Sequence, residues 1–149
     1  MERLVLDTSV IIEYIVLRSP YRPIVAKLFD KASTSGLKLY VSTITLSEVL
    51  YIASRIYQIA GVDDPNRKAL DFIEWIKSRV EVIEINSDIA LRAGELKKHL
   101  HIALPDCYVI ASAEKVKATP LFKRIEDEMK PIINDLGKLG VKFLDEIKL

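Results

Sequence analysis

Cysteine is almost absent from this chain, which has 149 residues and a single cysteine, Cys107. A lone cysteine excludes an intrachain disulfide and a cysteine-based zinc cluster, and it suits a reducing compartment. Long hydrophobic runs are absent too, because no stretch approaches the roughly 20 apolar residues that a membrane span needs. The first apolar segment contains Asp7 and Glu13 and is not typical of a signal peptide. We therefore expect a cytoplasmic protein without a membrane segment.

A large excess of charge of one sign is also missing, since the formal net charge is +1. Nucleic-acid-binding domains often carry a strong positive excess, so any basic surface here is expected to be local. The chain contains no glycine-rich phosphate loop, so the sequence gives no reason to expect a nucleotide-binding protein. Half of the residues are hydrophobic and 29% are charged, a balance typical of ordered proteins. We expect residues 1–149 to form a single domain.

Short apolar segments alternate with helical patterns along the chain. Strands are predicted at residues 4–6, 37–41, 80–85, 118–122 and 141–144. Helices are predicted at residues 10–15, 21–32, 46–60, 65–77, 87–100, from 105 onward, and at 126–139 with a break at Pro131. Strands separated by helices indicate an α/β sandwich with a mainly parallel sheet.

The first strand is followed directly by a carboxylate, Asp7. Residues 4–6 are apolar without polar alternation, as expected of a strand buried on both faces of a parallel sheet. An ionised Asp at such an edge needs hydrogen bonds, a cation or a shifted pKa, and ligands of open parallel sheets bind beyond the carboxyl ends of the strands. Thr8 or Ser9 is predicted to cap the helix that follows. The alternative interpretation is that Asp7 is only a turn residue that supports the helix N-terminus.

Most of the 21 acidic residues, Glu13 among them, lie where solvated helix faces or turns are expected. Glu48 differs because apolar residues surround it and because its helix follows the second strand. A helix that follows a strand starts at the carboxyl edge of the sheet, where Asp7 is expected. Glu48 also stands three residues after Thr45, which fits a capping box as a structural alternative.

Asp106 follows Pro105 near the start of another helix. An acid in the first turn is stabilised by the helix dipole, by less than about 1 kcal/mol. The residues around Asp106 are so apolar that its helix is expected to be buried on most sides, so the carboxylate needs a partner. A bound cation is a reasonable partner.

Three carboxylates at one sheet edge repel each other and are expected to attract a hard divalent metal ion. Mg²⁺ and Mn²⁺ prefer oxygen ligands and usually keep several waters, which suits a few carboxylates. Such an ion can bind a phosphodiester oxygen and lower the pKa of a water, so that hydrolysis needs no protein nucleophile. Asp7, Glu48 and Asp106 are therefore the candidate metal ligands.

Three segments together resemble the PIN-domain ribonucleases and, within that family, the small VapC-type toxins of toxin–antitoxin pairs. They are residues 4–9 (LVLDTS), 47–49 (SEV) and 104–113 (LPDCYVIASA). The resemblance implies a three-layer α/β/α sandwich, a Mg²⁺ or Mn²⁺ site, cleavage of RNA, a homodimer and often an antitoxin partner. Asp7, Glu48 and Asp106 match the first three family acids, and the resemblance implies a contact from the Thr8 hydroxyl near the metal.

The fourth acid of the family usually follows a Thr-x-Asp signal, from which residues 121–128 (LFKRIEDE) depart. Glu126 is our candidate for a fourth catalytic acid, and Glu128 is the close alternative; an ordinary acid run at a helix start is the structural interpretation. Lys123 and Arg124 beside them are either phosphate contacts or solvated surface charges.

Other functions are compatible with parts of this pattern. One is an RNA-processing PIN nuclease without an antitoxin, and another is an RNA-binding module of the same fold with weak catalysis. A third is a phosphate-transfer domain with a nucleophilic Asp after its first strand. Phosphatases of that kind typically have a second Asp two residues later, where this chain has Ser9.

Overall fold

The computed structural model describes residues 2–34 and 36–149. Within these ranges, five strands form one parallel sheet in the order β3-β2-β1-β4-β5. The strands are β1 (Glu2–Leu6), β2 (Leu37–Ser42), β3 (Glu81–Ile83), β4 (Thr119–Phe122) and β5 (Lys142–Phe143). β1 therefore lies at the centre of the sheet.

The same two ranges contain seven α-helices. They are α1 (Thr8–Ile11), α2 (Arg22–Ser33), α3 (Thr43–Ile59), α4 (Pro65–Lys77), α5 (Ser87–Leu100), α6 (Leu104–Val116) and α7 (Ile133–Lys138). Short 3-10 segments occupy Ile12–Tyr14, Asp127–Ile132 and Leu144–Glu146. None of the helices in the described ranges is long and apolar enough to cross a membrane.

The predicted elements all occur, with differences at their ends. β3 and β5 are shorter than predicted, and the predicted break at Pro131 is confirmed because a 3-10 segment precedes α7 there. α3 begins three residues earlier than predicted because β2 leads directly into it. These shifts leave the order of strands and helices unchanged.

Alternate residues of β1 pack on opposite faces of the sheet. Leu4 and Leu6 lie in a hydrophobic cluster with side chains of α1, α2, α3 and α4, whereas Val5 lies in a second cluster with α5, α6 and α7. All three side chains are fully buried. The predicted burial of this strand on both faces is thereby confirmed, and the fold is the three-layer α/β/α sandwich that the resemblance implies.

Two predicted helix caps are wrong. Asp7 itself, rather than Thr8 or Ser9, is the N-cap of α1, since its Oδ2 accepts a hydrogen bond from the Ser9 N–H at 3.0 Å. The chain leaves β1 and enters the helix within one residue, so Thr8 already lies in the first turn.

The capping box between Thr45 and Glu48 does not form either. Ser42 is the N-cap of α3, and its Oγ accepts a hydrogen bond from the Thr45 N–H at 3.2 Å. Since the helix begins at Thr43, Glu48 lies in its second turn, too far from the N-cap to complete a capping box. Glu48 is therefore free to make a contact outside its own helix.

Candidate active site

Asp7, Glu48 and Asp106 lie together at the carboxyl edge of the sheet. Asp7 follows the last residue of β1, and its N–H donates to the carbonyl of Leu121 in β4 at 3.0 Å. Glu48 comes from the second turn of α3 and Asp106 from the first turn of α6. α3 and α6 are in contact, which brings carboxylates from three separate segments to one place.

A cavity of about 230 Å³, which we call the acidic pocket, lies between these segments. It is lined by Asp7, Thr8, Ser9, Ile12, Glu13, Glu48, Ile52, Asp106 and Lys123. Four of these side chains are carboxylic acids and one is a lysine. The pocket is thus strongly acidic, although the chain as a whole is nearly neutral.

Asp7 is the most buried acid of the pocket, with 7% of its surface exposed. Burial raises the pKa of its carboxyl group, because the charged form loses hydration. Hydrogen bonds from Ser9 and from the backbone of Thr8 act in the opposite direction. Asp7 therefore serves as the helix cap and as a pocket acid at once, so the two interpretations from the sequence are compatible.

Glu48 is oriented by a residue of α1. The Thr8 hydroxyl donates a hydrogen bond to Glu48 Oε1 at 2.8 Å. Burial raises the pKa of Glu48, the hydrogen bond from Thr8 lowers it, and the charge of Asp7 raises it again. This contact places the expected Thr8 hydroxyl beside the acids, where it fixes the direction of a carboxylate.

Asp106 has a strongly perturbed carboxyl group. Burial, followed by the charges of Asp7, Glu126, Glu128 and Glu48, raises its pKa to about 8. At neutral pH the ionised form is therefore unfavourable without a compensating positive charge. A cation in the pocket would provide that compensation.

The donor set fits a hard divalent ion that keeps part of its water shell. All the acids are oxygen donors, and the neighbouring Cys107 is buried in the core with its thiol pKa raised to about 11, mainly by burial. Among the residues that the structure describes, no three His, Cys, Asp or Glu side chains stand close enough to enclose one ion. Mg²⁺ is usually bound through one or two carboxylates and several waters, which is compatible with this spacing.

Glu126 lies beside the acidic pocket and not in it. It lines an adjoining open groove of about 800 Å³, the outer groove, with Ser9, Lys123, Arg124, Ile125, Asp127 and Glu128. Glu126 is exposed and is the N-cap residue of a 3-10 segment, without a capping hydrogen bond from its side chain. Glu128 is also exposed, and its Oε1 accepts a hydrogen bond from the Ala103 N–H at 3.4 Å, next to α6.

The sequence prediction for Glu13 is wrong. Its side chain is only 12% exposed, and it lines the acidic pocket instead of a solvated helix face. Its Oε1 lies 3.0 Å from Nζ of Lys123, whose side chain is 25% exposed. Glu13 has the apolar residues Ile12 and Tyr14 on either side. Apolar neighbours are the same signal that singled out Asp106, and they could have revealed the burial of Glu13.

The fold and the site together define a class: a three-layer α/β protein with an acidic pocket beyond the carboxyl ends of its parallel strands. The family model described as PIN domain matches residues 4–124, which is most of the chain. This chain belongs to the PIN-domain family, the family that its motifs resemble. A comparison with curated protein sequences finds no significant match.

Solved structures with the same fold include several toxin–antitoxin proteins. DNA-bound VapBC from Salmonella typhimurium gives a TM-score of 0.66 at 20% identity, covering 96% of this chain and 97% of the other. A toxin–antitoxin complex from Klebsiella pneumoniae gives 0.59 at 21% identity, with 97% and 99% covered. Mycobacterium tuberculosis VapC20, described as a sarcin–ricin loop cleaving toxin, gives 0.65 at 15% identity, with 93% and 96% covered.

Proposed function

We propose that this protein is a Mg²⁺- or Mn²⁺-dependent endoribonuclease that acts as the toxin of a toxin–antitoxin pair. The observation that carries the proposal is the convergence of Asp7, Glu48 and Asp106 in one desolvated pocket. Membership of the PIN-domain family supports nuclease chemistry. The likeness to VapC20, described as cleaving the sarcin–ricin loop, supports RNA as the substrate.

Asp7, Asp106 and Glu48 are the proposed metal ligands, directly or through waters that the ion keeps. A bound Mg²⁺ or Mn²⁺ would supply Lewis acidity toward a phosphodiester oxygen and toward a water. Asp7 is held in place through its hydrogen bond from the Ser9 N–H, and Glu48 through the Thr8 hydroxyl. The carboxylates therefore need little reorganisation when the substrate arrives, which favours catalysis.

The outer groove is the proposed path of the RNA backbone. It adjoins the acidic pocket, since Ser9 and Lys123 line both cavities. Arg124 is exposed on its wall and is suited to a phosphate contact. Glu126, which lies in this groove, is our candidate for a fourth catalytic acid acting on a water or on the leaving group.

The assembly of the protein belongs to the same proposal. An antitoxin partner is supported by the likeness to the Klebsiella toxin–antitoxin complex. We further propose a homodimer in the cytoplasm, with residues 1–149 acting as one domain. Size-exclusion chromatography with light scattering, alone and with the product of a neighbouring small gene, tests both assembly states.

Cleavage of a labelled single-stranded RNA tests the function. We expect cleavage that requires Mg²⁺ or Mn²⁺, that stops with EDTA, and that is lost in Asp7→Asn and Asp106→Asn. Each Asn keeps the size of the Asp and an oxygen that can accept a hydrogen bond, so circular dichroism should show folded variants. Asp71→Asn, at an exposed site on α4, is the matched control and should cleave like wild type. Undiminished cleavage by both site variants would refute the assigned site.

A second candidate is an RNA-binding module of the same fold with weak catalysis. It is favoured by residues 123–128 (KRIEDE), where Lys123 and Ile125 stand in the segment that usually carries the Thr-x-Asp signal. This candidate predicts RNA retention that is equal in wild type, Asp7→Asn and Asp106→Asn, with at most weak cleavage by wild type. An RNA-processing nuclease without an antitoxin predicts full cleavage and no inhibitory partner.

A further inference from the structure

Lys123 brings a positive charge into the wall of a pocket otherwise dominated by carboxylates. Its ammonium lies 3.0 Å from Oε1 of Glu13 and 5.9 Å from the centre of the Tyr21 ring. Among the ion pairs of the described residues, this pair has the least exposed side chains, at 25% and 12%. Exposed pairs are usually mobile and weak, whereas this one is held between packed segments.

The backbone of Lys123 is also tied to the acid at the end of β1. Its N–H donates to the Ser9 hydroxyl at 3.2 Å, and the Ser9 N–H in turn donates to Asp7 Oδ2 at 3.0 Å. Lys123 therefore keeps a fixed position relative to Asp7. It also lines both the acidic pocket and the outer groove, which the proposed function assigns to the RNA backbone.

From these contacts we propose that the Lys123 ammonium is a permanent cation of the site and binds the substrate phosphate. Glu13 is then the positioning residue that holds the Lys123 ammonium away from the metal-binding acids. This inference rests on the proposed function. A two-metal site clamps a phosphate between two ions, and here the lysine supplies the second positive charge in place of a second ion. Each chain then binds one divalent ion.

The charges give the two residues opposite effects on metal affinity. Removing the ammonium leaves Glu13 unpaired and makes the pocket more negative, so Lys123→Met should bind Mn²⁺ more tightly. Removing the charge of Glu13 releases the ammonium toward Asp7 and Asp106, so Glu13→Gln should bind Mn²⁺ more weakly. We expect a change in Kd of about three- to tenfold in each direction, the size that one neighbouring charge produces in a partly solvated site.

Substrate recognition should respond differently from metal affinity. Lys123→Met should raise KM for RNA and lower kcat/KM about ten- to a hundredfold, the loss expected for a hydrogen bond between charged groups. Lys123→Arg, which keeps the charge, should recover much of this loss. The double variant Glu13→Gln/Lys123→Met restores the net charge of the pocket, so its Mn²⁺ affinity should return near the wild-type value while its cleavage stays low.

Isothermal titration calorimetry with MnCl₂ and steady-state cleavage kinetics on the folded, full-length variants test the inference. Glu95→Gln and Lys98→Met, which alter an exposed ion pair on α5, are the matched controls and should match wild type. If wild type binds one Mn²⁺ per chain but the Glu13 and Lys123 variants share its Kd, the lysine does not act on the site and this inference alone fails. Two ions per wild-type chain would also overturn it. If wild type binds no Mn²⁺, the proposed function fails with it.

Discussion

The Thr8 hydroxyl donates a 2.8 Å hydrogen bond to Glu48 Oε1, although the two residues are 40 positions apart in sequence. The bond links the first turn of α1 to the second turn of α3, and both residues line the acidic pocket. It determines which way the Glu48 carboxylate points, in a place where burial alone would favour its neutral form.

Replacing Thr8 with Val should therefore impair the site without emptying the space that Thr8 fills. The hydroxyl is lost while the volume is kept, so Glu48 loses its orientation. We expect kcat/KM for RNA to fall about ten- to a hundredfold, the usual effect of removing a group that orients a metal ligand. Thr8→Ser, which keeps the hydroxyl, is the control. Equal kinetics in the Val and Ser variants would show that the hydrogen bond is irrelevant to catalysis.

The stability of the metal-free protein should depend on the pH through Asp106. Its folded pKa is raised from 3.8 to about 8, so between these values the unfolded chain is ionised while the folded chain keeps the proton. The free energy of unfolding attributable to this group is therefore largest at low pH and falls as the pH rises toward 8. Asp106→Asn removes the effect, and we expect the metal-free variant to exceed wild type by about 2 kcal/mol at pH 8 after allowance for partial solvent screening.

Urea unfolding at several pH values, with EDTA and with MnCl₂, measures this dependence. The difference between wild type and Asp106→Asn should grow with pH in EDTA. It should shrink or reverse in MnCl₂, because a bound cation stabilises only the ionised carboxylate. A difference that stays constant with pH would contradict the assigned shift.

Glu126 and Glu128 are separable by mutation. Both charges raise the pKa of Asp106, and the effect of Glu126 is the larger. The Glu128 carboxylate also accepts a backbone hydrogen bond, from Ala103. We expect Glu126→Gln to reduce kcat about tenfold or more, the scale of a lost acid–base group. Glu128→Gln should act mainly on stability, with kcat nearly unchanged. The reverse order in a cleavage assay would assign the fourth acid to Glu128.

Cys107 should be chemically inert in the folded protein. Its side chain is fully buried and its thiol pKa is raised to about 11, first by burial and then by the charge of Asp106. Only the thiolate reacts rapidly, so alkylation by iodoacetamide at pH 8 should be slow until the chain unfolds. Mass spectrometry before and after addition of urea measures this. Rapid labelling of native protein would indicate that the start of α6 opens readily.

The sequence predicted the architecture because strand burial and helix periodicity are local properties. The apolar run Leu4–Leu6 indicated a strand buried on both faces, and the alternation of strands and helices indicated a parallel sheet, both of which the structure confirms. The same logic singled out Asp7, Glu48 and Asp106, because a carboxylate among apolar neighbours is costly wherever the chain places it. Their convergence follows from parallel strands, whose carboxyl ends share one edge of the sheet.

Tertiary structure alone decided the contacts between distant segments. Thr8 contacts Glu48, which is 40 positions away in sequence, and the buried Glu13 pairs with Lys123, which is 110 positions away. No local sequence pattern encodes contacts over such distances. Glu48 showed this most clearly, since its spacing from Thr45 allowed a capping box as an alternative that the early start of α3 prevents. The sequence by itself determined which acids are costly to bury in ionised form without a partner. The packing of α1, α3 and α6 around the sheet edge determined which groups lie close enough to stabilise those acids.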